Sequence, residues 1–301
     1  MRGRFLLLAV AALLTFGMGA ARATLYMVVG DQNAAFTALT SVNTSTGLAT
    51  LVGPNGLSGA ITPSLAIDQS GQAFTEIGGG SGNPGGQLGQ YNLATGAVTP
   101  IGPVTNGAIL SMAVAPDNTL YGLSIANGVV DNPLFTIDKT TGALTQIGLT
   151  PATYDAAFDP AGNLYGALAP FGAPLFQIDP VTGNPSLLGP LYDAANPSTT
   201  LSAQSLAFDP SGNLYATLLG PGPDYYLGTV DLHTGATHLI GDTGIAITND
   251  FTLGMDFTPA AVTTSVPEPM TAGLSTLGLA AVVLLAAGRR PRKAPSRVYS
   301  W

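Results

Sequence analysis

Five times the chain writes the same twelve-residue phrase: VNTSTGLATLVG from Val42, YNLATGAVTPIG from Tyr91, IDKTTGALTQIG from Ile137, IDPVTGNPSLLG from Ile178 and VDLHTGATHLIG from Val230. The glycines that follow Thr are Gly47, Gly96, Gly142, Gly183 and Gly235, spaced by 49, 46, 41 and 52 residues. A unit of this size cannot bury its apolar face alone. It must stack against its neighbours.

A second stretch alternates with the first: LAIDQSGQAFTEI from Leu65, MAVAPDNTLYGLS from Met112, AAFDPAGNLYGAL from Ala156 and LAFDPSGNLYATL from Leu206. Each is an apolar run, a turn rich in Asp, Pro, Gly and Asn, and another apolar run, which is the pattern of a β-hairpin. Four short strands per unit at this period predict an all-β fold, a single β-propeller of about five four-stranded blades over residues 24–260. The ends of the array predict closure. Thr24-Leu25-Tyr26 matches Asn213-Leu214-Tyr215 and lacks an opening strand, while LGMDFTP, residues 253–259, matches the missing LAFDP. The N- and C-terminal strands therefore complete one blade and leave no long sheet edge.

Repetition itself assigns structural work. Asp159 and Asp209 close turns on backbone N–H groups, and Gly162 and Gly212 supply positive φ. Leu164, Tyr165, Leu214 and Tyr215 pack between blades. The unit FDPxGNLY…DPxTGxxxxIG is similar to the repeats of bacterial propellers of the NHL and SMP-30-like groups. That resemblance implies a fold and carries no function.

Charge is placed unevenly. Eight of the nine basic residues lie near the two ends, and Lys139 alone stands among sixteen acids from Asp31 to Asp256. So acidic a body repels phosphate backbones and excludes nucleic acid as a partner. The chain has no Cys, which removes disulfides, thiolate metal sites and Cys nucleophiles.

The ends read as addresses. Arg2 and Arg4 precede an apolar run from Phe5 to Phe16, and Ala21-Arg22-Ala23 places small residues for signal peptidase. Residues 1–23 are expected to be a secretory signal peptide, with an uncleaved anchor as the alternative. At the other end, residues 261–270 form a linker and residues 271–288 are eighteen uncharged residues, about 27 Å as a transmembrane helix. The basic tail 289–301 follows, and the positive-inside rule keeps it cytoplasmic with the body outside.

Val266, Pro267, Glu268, Pro269, the span, and Arg289 and Arg290 stand in an order that resembles the PEP-CTERM sorting signal of Gram-negative bacteria. The resemblance implies recognition by an exosortase, cleavage near Pro-Glu-Pro, and passage from an inner-membrane-tethered intermediate to the cell surface or matrix. It also implies association with extracellular polysaccharide and biofilm. A plain C-terminal anchor is the alternative.

Groups that carry chemistry are sparse. His233 and His238 share one phrase with Asp231, but strand alternation separates His238 from the other two. No GxSxG is present. Gly80-Ser81-Gly82-Asn83-Pro84-Gly85 fits GxGxxG in form only, because a strand follows where a phosphate site needs a helix. Calcium is the one cofactor considered, with Asp155, Asp159 and Asp209 as candidate ligands, although the same aspartates serve turns. Tyr154, Phe171, Tyr192, Tyr225 and Tyr226 are candidates for a sugar platform; Tyr225 and Tyr226, adjacent in a strand, point to opposite sides.

The expected function is a non-enzymatic, structural, adhesive or polymer-binding exported propeller. The alternatives are a hydrolase or lyase with a metal-assisted carboxylate site at the central channel, and an interaction scaffold with an apolar patch on one face.

Overall fold

The computed structural model describes residues 23–31, 36–79, 86–105, 109–124, 132–168, 174–219, 223–246 and 250–260. Residues 1–22, which hold most of the expected signal peptide, and the linker, sorting motif, span and tail from 261 onward lie outside the described residues, as do Phe171 and the GxGxxG loop. Among the described residues no helix is long and apolar enough to cross a membrane.

The described residues form five antiparallel sheets arranged as the blades of a propeller. Blade 1 joins the two ends of the array. Its innermost strand, Asp250–Phe257, pairs with Leu25–Asp31, followed outward by Phe36–Val42 and Ala49–Pro54. Phe257 lies opposite Leu25, as Phe208 lies opposite Leu214 in blade 5. Phe257-Thr258-Pro259 therefore stands where Phe208-Asp209-Pro210 stands in blade 5. Thr258 takes the place of that aspartate: its N–H donates to Thr24 O at 2.9 Å and its Oγ1 accepts from Thr24 N at 2.8 Å. A pair of hydrogen bonds stands here where the other blades have a covalent turn.

Blade 2 opens on a broken inner strand, Ala60–Ile61 and Ala66–Ile67, and continues through Ala73–Gly79, Gly86–Tyr91 and Val98–Thr105. Blade 3 runs Ile109–Val114, Leu120–Ser124, Asn132–Ile137 and Leu144–Thr150; blade 4 runs Thr153–Phe158, Leu164–Leu168, Leu175–Ile178 and Pro185–Gly189. Blade 5 explains the widest repeat spacing. Its inner strand extends over Asn196–Phe208, followed by Leu214–Leu219, Asp224–Val230 and Ala236–Ala246. An added strand, Leu191–Asp193, pairs with both the innermost and the outermost of these, so the blade closes into a small barrel.

The core is distributed, with one apolar cluster at each junction between blades. The expected packing of the repeated residues holds. Tyr165 of blade 4 meets Phe208 of blade 5 with ring centroids 5.3 Å apart, and Tyr215 of blade 5 meets Phe257 of blade 1 at 5.2 Å. Tyr121 and Phe158 repeat the contact at 5.0 Å between blades 3 and 4. Leu164 and Leu214 are fully buried in two of these clusters. Each such side chain removed from water stabilises by about 1.5–3 kcal/mol.

The twelve-residue phrase builds a second, outer ring. Its five Thr-Gly glycines all have positive φ, between 73° and 84°. Gly96 of blade 2 lies so close to blade 1 that a Cβ there would sit 2.2 Å from Gly53 O, and a Cβ on Gly53 would sit 2.1 Å from Thr95 O. Gly47 repeats this contact across the closing junction, against Gly241 of blade 5. The two glycines of TGxxxxIG are thus the two halves of one interblade contact. Side-chain oxygens of Asn43, Asn92, Asp138, Asp179 and Asp231 fold the turn before it, each accepting the N–H two residues on.

Candidate functional site

The five inner strands surround the channel, and their register defines equivalent rungs. Three residues before the Phe208 position stand Ser64, Ser111, Asp155, Ser205 and Gly254; one residue before it stand Ala66, Ala113, Ala157, Ala207 and Asp256. Fivefold repetition explains small residues on both rungs. It does not explain the two aspartates.

Their hydrogen bonds do. An inner strand has no sheet partner on its channel side, so its N–H groups there need other acceptors. Asp155, 1% exposed, accepts Leu206 N–H of blade 5 on Oδ2 at 2.9 Å and Ser111 Oγ–H of blade 3 on Oδ1 at 3.0 Å. Ser111 Oγ in turn accepts Ala156 N–H at 2.9 Å. Asp256 accepts Ile67 N–H of blade 2 at 2.6 Å and its neighbour Phe257 N–H at 2.7 Å. Glu76 accepts Ile109 N–H of blade 3, and Ser205 Oγ–H donates to Leu253 O of blade 1. One side chain thus ties each blade to the next around the whole ring.

Three of these five ties are carboxyl groups without a cation. Burial pushes the Asp256 carboxyl up to about 7, and burial pushes Glu76 up to about 8 against the opposing bond from Ile109. Asp155 is raised well above the ordinary range, first by burial and in small part by the field of Asp256. Glu76 Oε2 has no hydrogen-bond partner. The sequence reading had not singled out Asp256 or Glu76. The available signal for Asp256 was an acid on a rung where the other four repeats have alanine.

The expected calcium ligands do not gather. Both oxygens of Asp155 are engaged as described. Asp159 Oδ1 accepts Ala161 and Asn163 N–H at 2.9 and 2.8 Å, with Oδ2 on Asn163 Nδ2 at 2.8 Å. Asp209 repeats this with Ser211 and Asn213. Among the described residues no group of three or more His, Asp or Glu is placed to hold a metal ion. His233 and His238 are both exposed, the first with its N–H on Asp231. Tyr225 is buried and Tyr226 half-buried, on opposite sides of their strand as expected, and Tyr154 and Tyr192 are half-buried.

The inner strands also bound a cavity of about 340 Å³ at the end of the channel where the Asp-Pro turns lie. Phe158, Phe208 and Phe257 line it, with Met112, Met255 and Asp256. Exposed apolar side chains occur elsewhere, on the outer strands and turns, among them Leu51, Val181 and Leu187.

No family model and no curated protein matches this chain. Solved structures with a similar fold include one from a nidogen/laminin complex, at 13% identity over 77% of this chain and 98% of that one, with a TM-score of 0.47. TolB from Acinetobacter baumannii is 14% identical over 77% of this chain, with a TM-score of 0.45, and the chain spans 54% of its length. Regucalcin from Agrobacterium tumefaciens, described as a calcium-binding protein, is 19% identical over 63% of this chain and 66% of that one, with a TM-score of 0.39. These are likenesses of fold alone. The class is a five-bladed β-propeller.

Proposed function

We propose that this chain is an exported propeller that works as a non-enzymatic surface or matrix component, structural, adhesive or polymer-binding. The observation that carries the reading is the use made of the buried acids. Glu76, Asp155 and Asp256 each accept a backbone N–H from the next blade, so these acids hold the ring together. The terminal sequences supply the address: signal peptidase at Ala21 and Ala23, an exosortase at Val266 to Pro269 with Arg289 and Arg290, and extracellular polysaccharide as the surrounding polymer. Membrane tethering is transient in this reading.

The test is the intact mass of the protein recovered from its native host, in membrane and medium fractions. A species that begins at Thr24, ends near Pro269 and lies outside the membrane is the expected result. A full-length C-terminus retained in the membrane would leave a tethered propeller and remove the link to matrix polysaccharide. A hydrolase or lyase is the second reading, favoured by one observation: Asp256 borders the cavity and titrates near neutrality. It requires turnover that Asp256→Asn abolishes.

A further inference from the structure

The cavity at the Asp-Pro end of the channel has features that ring closure does not require. Its volume of about 340 Å³ falls within the range of small-molecule sites. Met112 and Met255, each 2% exposed, stand in its wall. Phe158, Phe208 and Phe257 border it as well, each with its ring packed on a tyrosine of the neighbouring blade. The charged groups that line it are all acidic: Asp68, Asp159, Asp209 and Asp256. Asp68 is neutralised by Lys139 Nζ at 2.8 Å, and Lys139 does not itself line the cavity. That leaves three carboxyl groups and three aromatic rings around an apolar space with no cation.

Asp256 is the informative member. Alanine occupies its rung in the other four blades, opposite Phe74, Tyr121, Tyr165 and Tyr215, and those blades close without an acid there. An ionised carboxyl removed from water is costly unless a cation or several hydrogen bonds compensate it. Two N–H groups reach Asp256, and among the described residues no basic side chain pairs with it. A ligand that brought a positive charge would complete its surroundings, and aromatic rings attract the same kind of group through their faces.

We propose that this cavity binds an organic cation with an apolar body, of the alkylammonium or quaternary ammonium class. The apolar body lies against the cavity wall that Phe158, Phe208 and Phe257 border. The charged head lies beside Asp256 and beneath the field of Asp159 and Asp209. This goes beyond the function proposed above and does not rest on it, because the cavity belongs to the propeller body whatever the fate of the ends.

Three probes with one six-carbon body test it: hexyltrimethylammonium, hexan-1-ol and hexanoate, titrated into the full chain in non-ionic detergent at pH 8 by calorimetry. The expected order is cation, then alcohol, then anion, with the cation at least about tenfold tighter than the alcohol. Asp256→Asn, which keeps an acceptor for Ile67 N–H, is expected to weaken the cation about five- to tenfold and leave the alcohol unchanged. Ala113→Trp, which fills the cavity, is expected to abolish both. Equal binding of cation and alcohol would overturn the proposal, since the cavity would then be merely apolar. So would the absence of cation binding at millimolar concentration. Cation binding that survives Ala113→Trp would place the interaction on the acidic surface and also overturn it.

Discussion

The inner and outer rings of this propeller hold the same five junctions by different physics. In the outer ring one chemical solution recurs. A glycine with positive φ lets the turn of one blade touch the backbone of the blade before it, as Gly47, Gly96 and Gly183 each do within 2.5 Å of a carbonyl oxygen for a notional Cβ. In the inner ring one geometrical task recurs with changing chemistry: Glu76, Ser111, Asp155, Ser205 and Asp256 each reach the next strand. A steric requirement admits one residue. A hydrogen-bonding requirement admits several, and the choice among them fixes how the ring responds to pH.

That difference predicts the largest effect. Glu76, Asp155 and Asp256 have folded pKa values raised above their ordinary values near 4. Between pH 4 and their folded values, about 8 for Glu76 and about 7 for Asp256, the folded chain holds protons that the unfolded chain has released. Stability is therefore greatest below this window and falls as pH rises through it, by at most about 1.4 kcal/mol per pH unit for each group. The outer turn acids Asp138, Asp179 and Asp231 behave oppositely. Backbone N–H groups hold them below the ordinary value, so their contribution is lost as pH falls through their folded pKa. Urea midpoints from pH 3 to 9 should peak near pH 4. The triple variant Glu76→Gln, Asp155→Asn, Asp256→Asn should flatten the alkaline limb alone. A wild-type midpoint that stays level from pH 5 to 8 would show that the inner acids are ionised without penalty.

The outer ring should answer to volume and not to pH. Gly96→Ala adds left-handed backbone strain and a Cβ against Gly53 O, and should destabilise by about 3 kcal/mol at any pH. Gly71→Ala is the control. Its φ is 83° and nothing lies within 4 Å of the added Cβ, so only the strain remains, about 1 kcal/mol. Equal losses from the two would mean that the blade contact contributes nothing.

A single tie in the inner ring should matter somewhat less. Asp155→Ala leaves Leu206 N–H and Ser111 Oγ–H without their acceptor and should lose about 2 kcal/mol at pH 5. Asp155→Asn should stay within about 1 kcal/mol at pH 5 and exceed the wild type at pH 8. The pair of variants separates the hydrogen bond from the charge.

The sequence makes these two rings unequally legible. TGxxxxIG can be read directly, because every blade must meet the same steric demand at Gly47, Gly96 and their equivalents. Closure by residues 253–259 is legible too, but the bond that makes it is not: Thr258 replaces a turn aspartate by pairing with Thr24, a residue more than two hundred positions away. The same holds for blade 5. The 52-residue spacing marks an insertion, yet nothing local says that Leu191–Asp193 will bond two strands at once. The inner ties are least legible. Whether Asp155 is a ligand, a turn residue or a tie depends on where Leu206 N–H points, and that is decided by the packing of two blades.

The smallest test lies where the repeat breaks its own rule. The tip of the Asp-Pro turn carries Gly71, Gly162 and Gly212 in three blades, all with positive φ, and Asn118 in the fourth at φ 72°. Asparagine is among the residues that tolerate this conformation best, so the strain is modest. Asn118 Oδ1 also accepts Gln69 N–H from blade 2, at 3.3 Å and in an exposed setting where such a bond contributes little. Relief of strain and loss of this bond oppose each other, and the glycine adds freedom to the unfolded chain. Asn118→Gly should therefore change stability by less than about 0.5 kcal/mol. A loss above about 1 kcal/mol would mean that the bond to Gln69 is a genuine interblade tie, and that the junction of blades 2 and 3 is held at the turn as well as through Glu76.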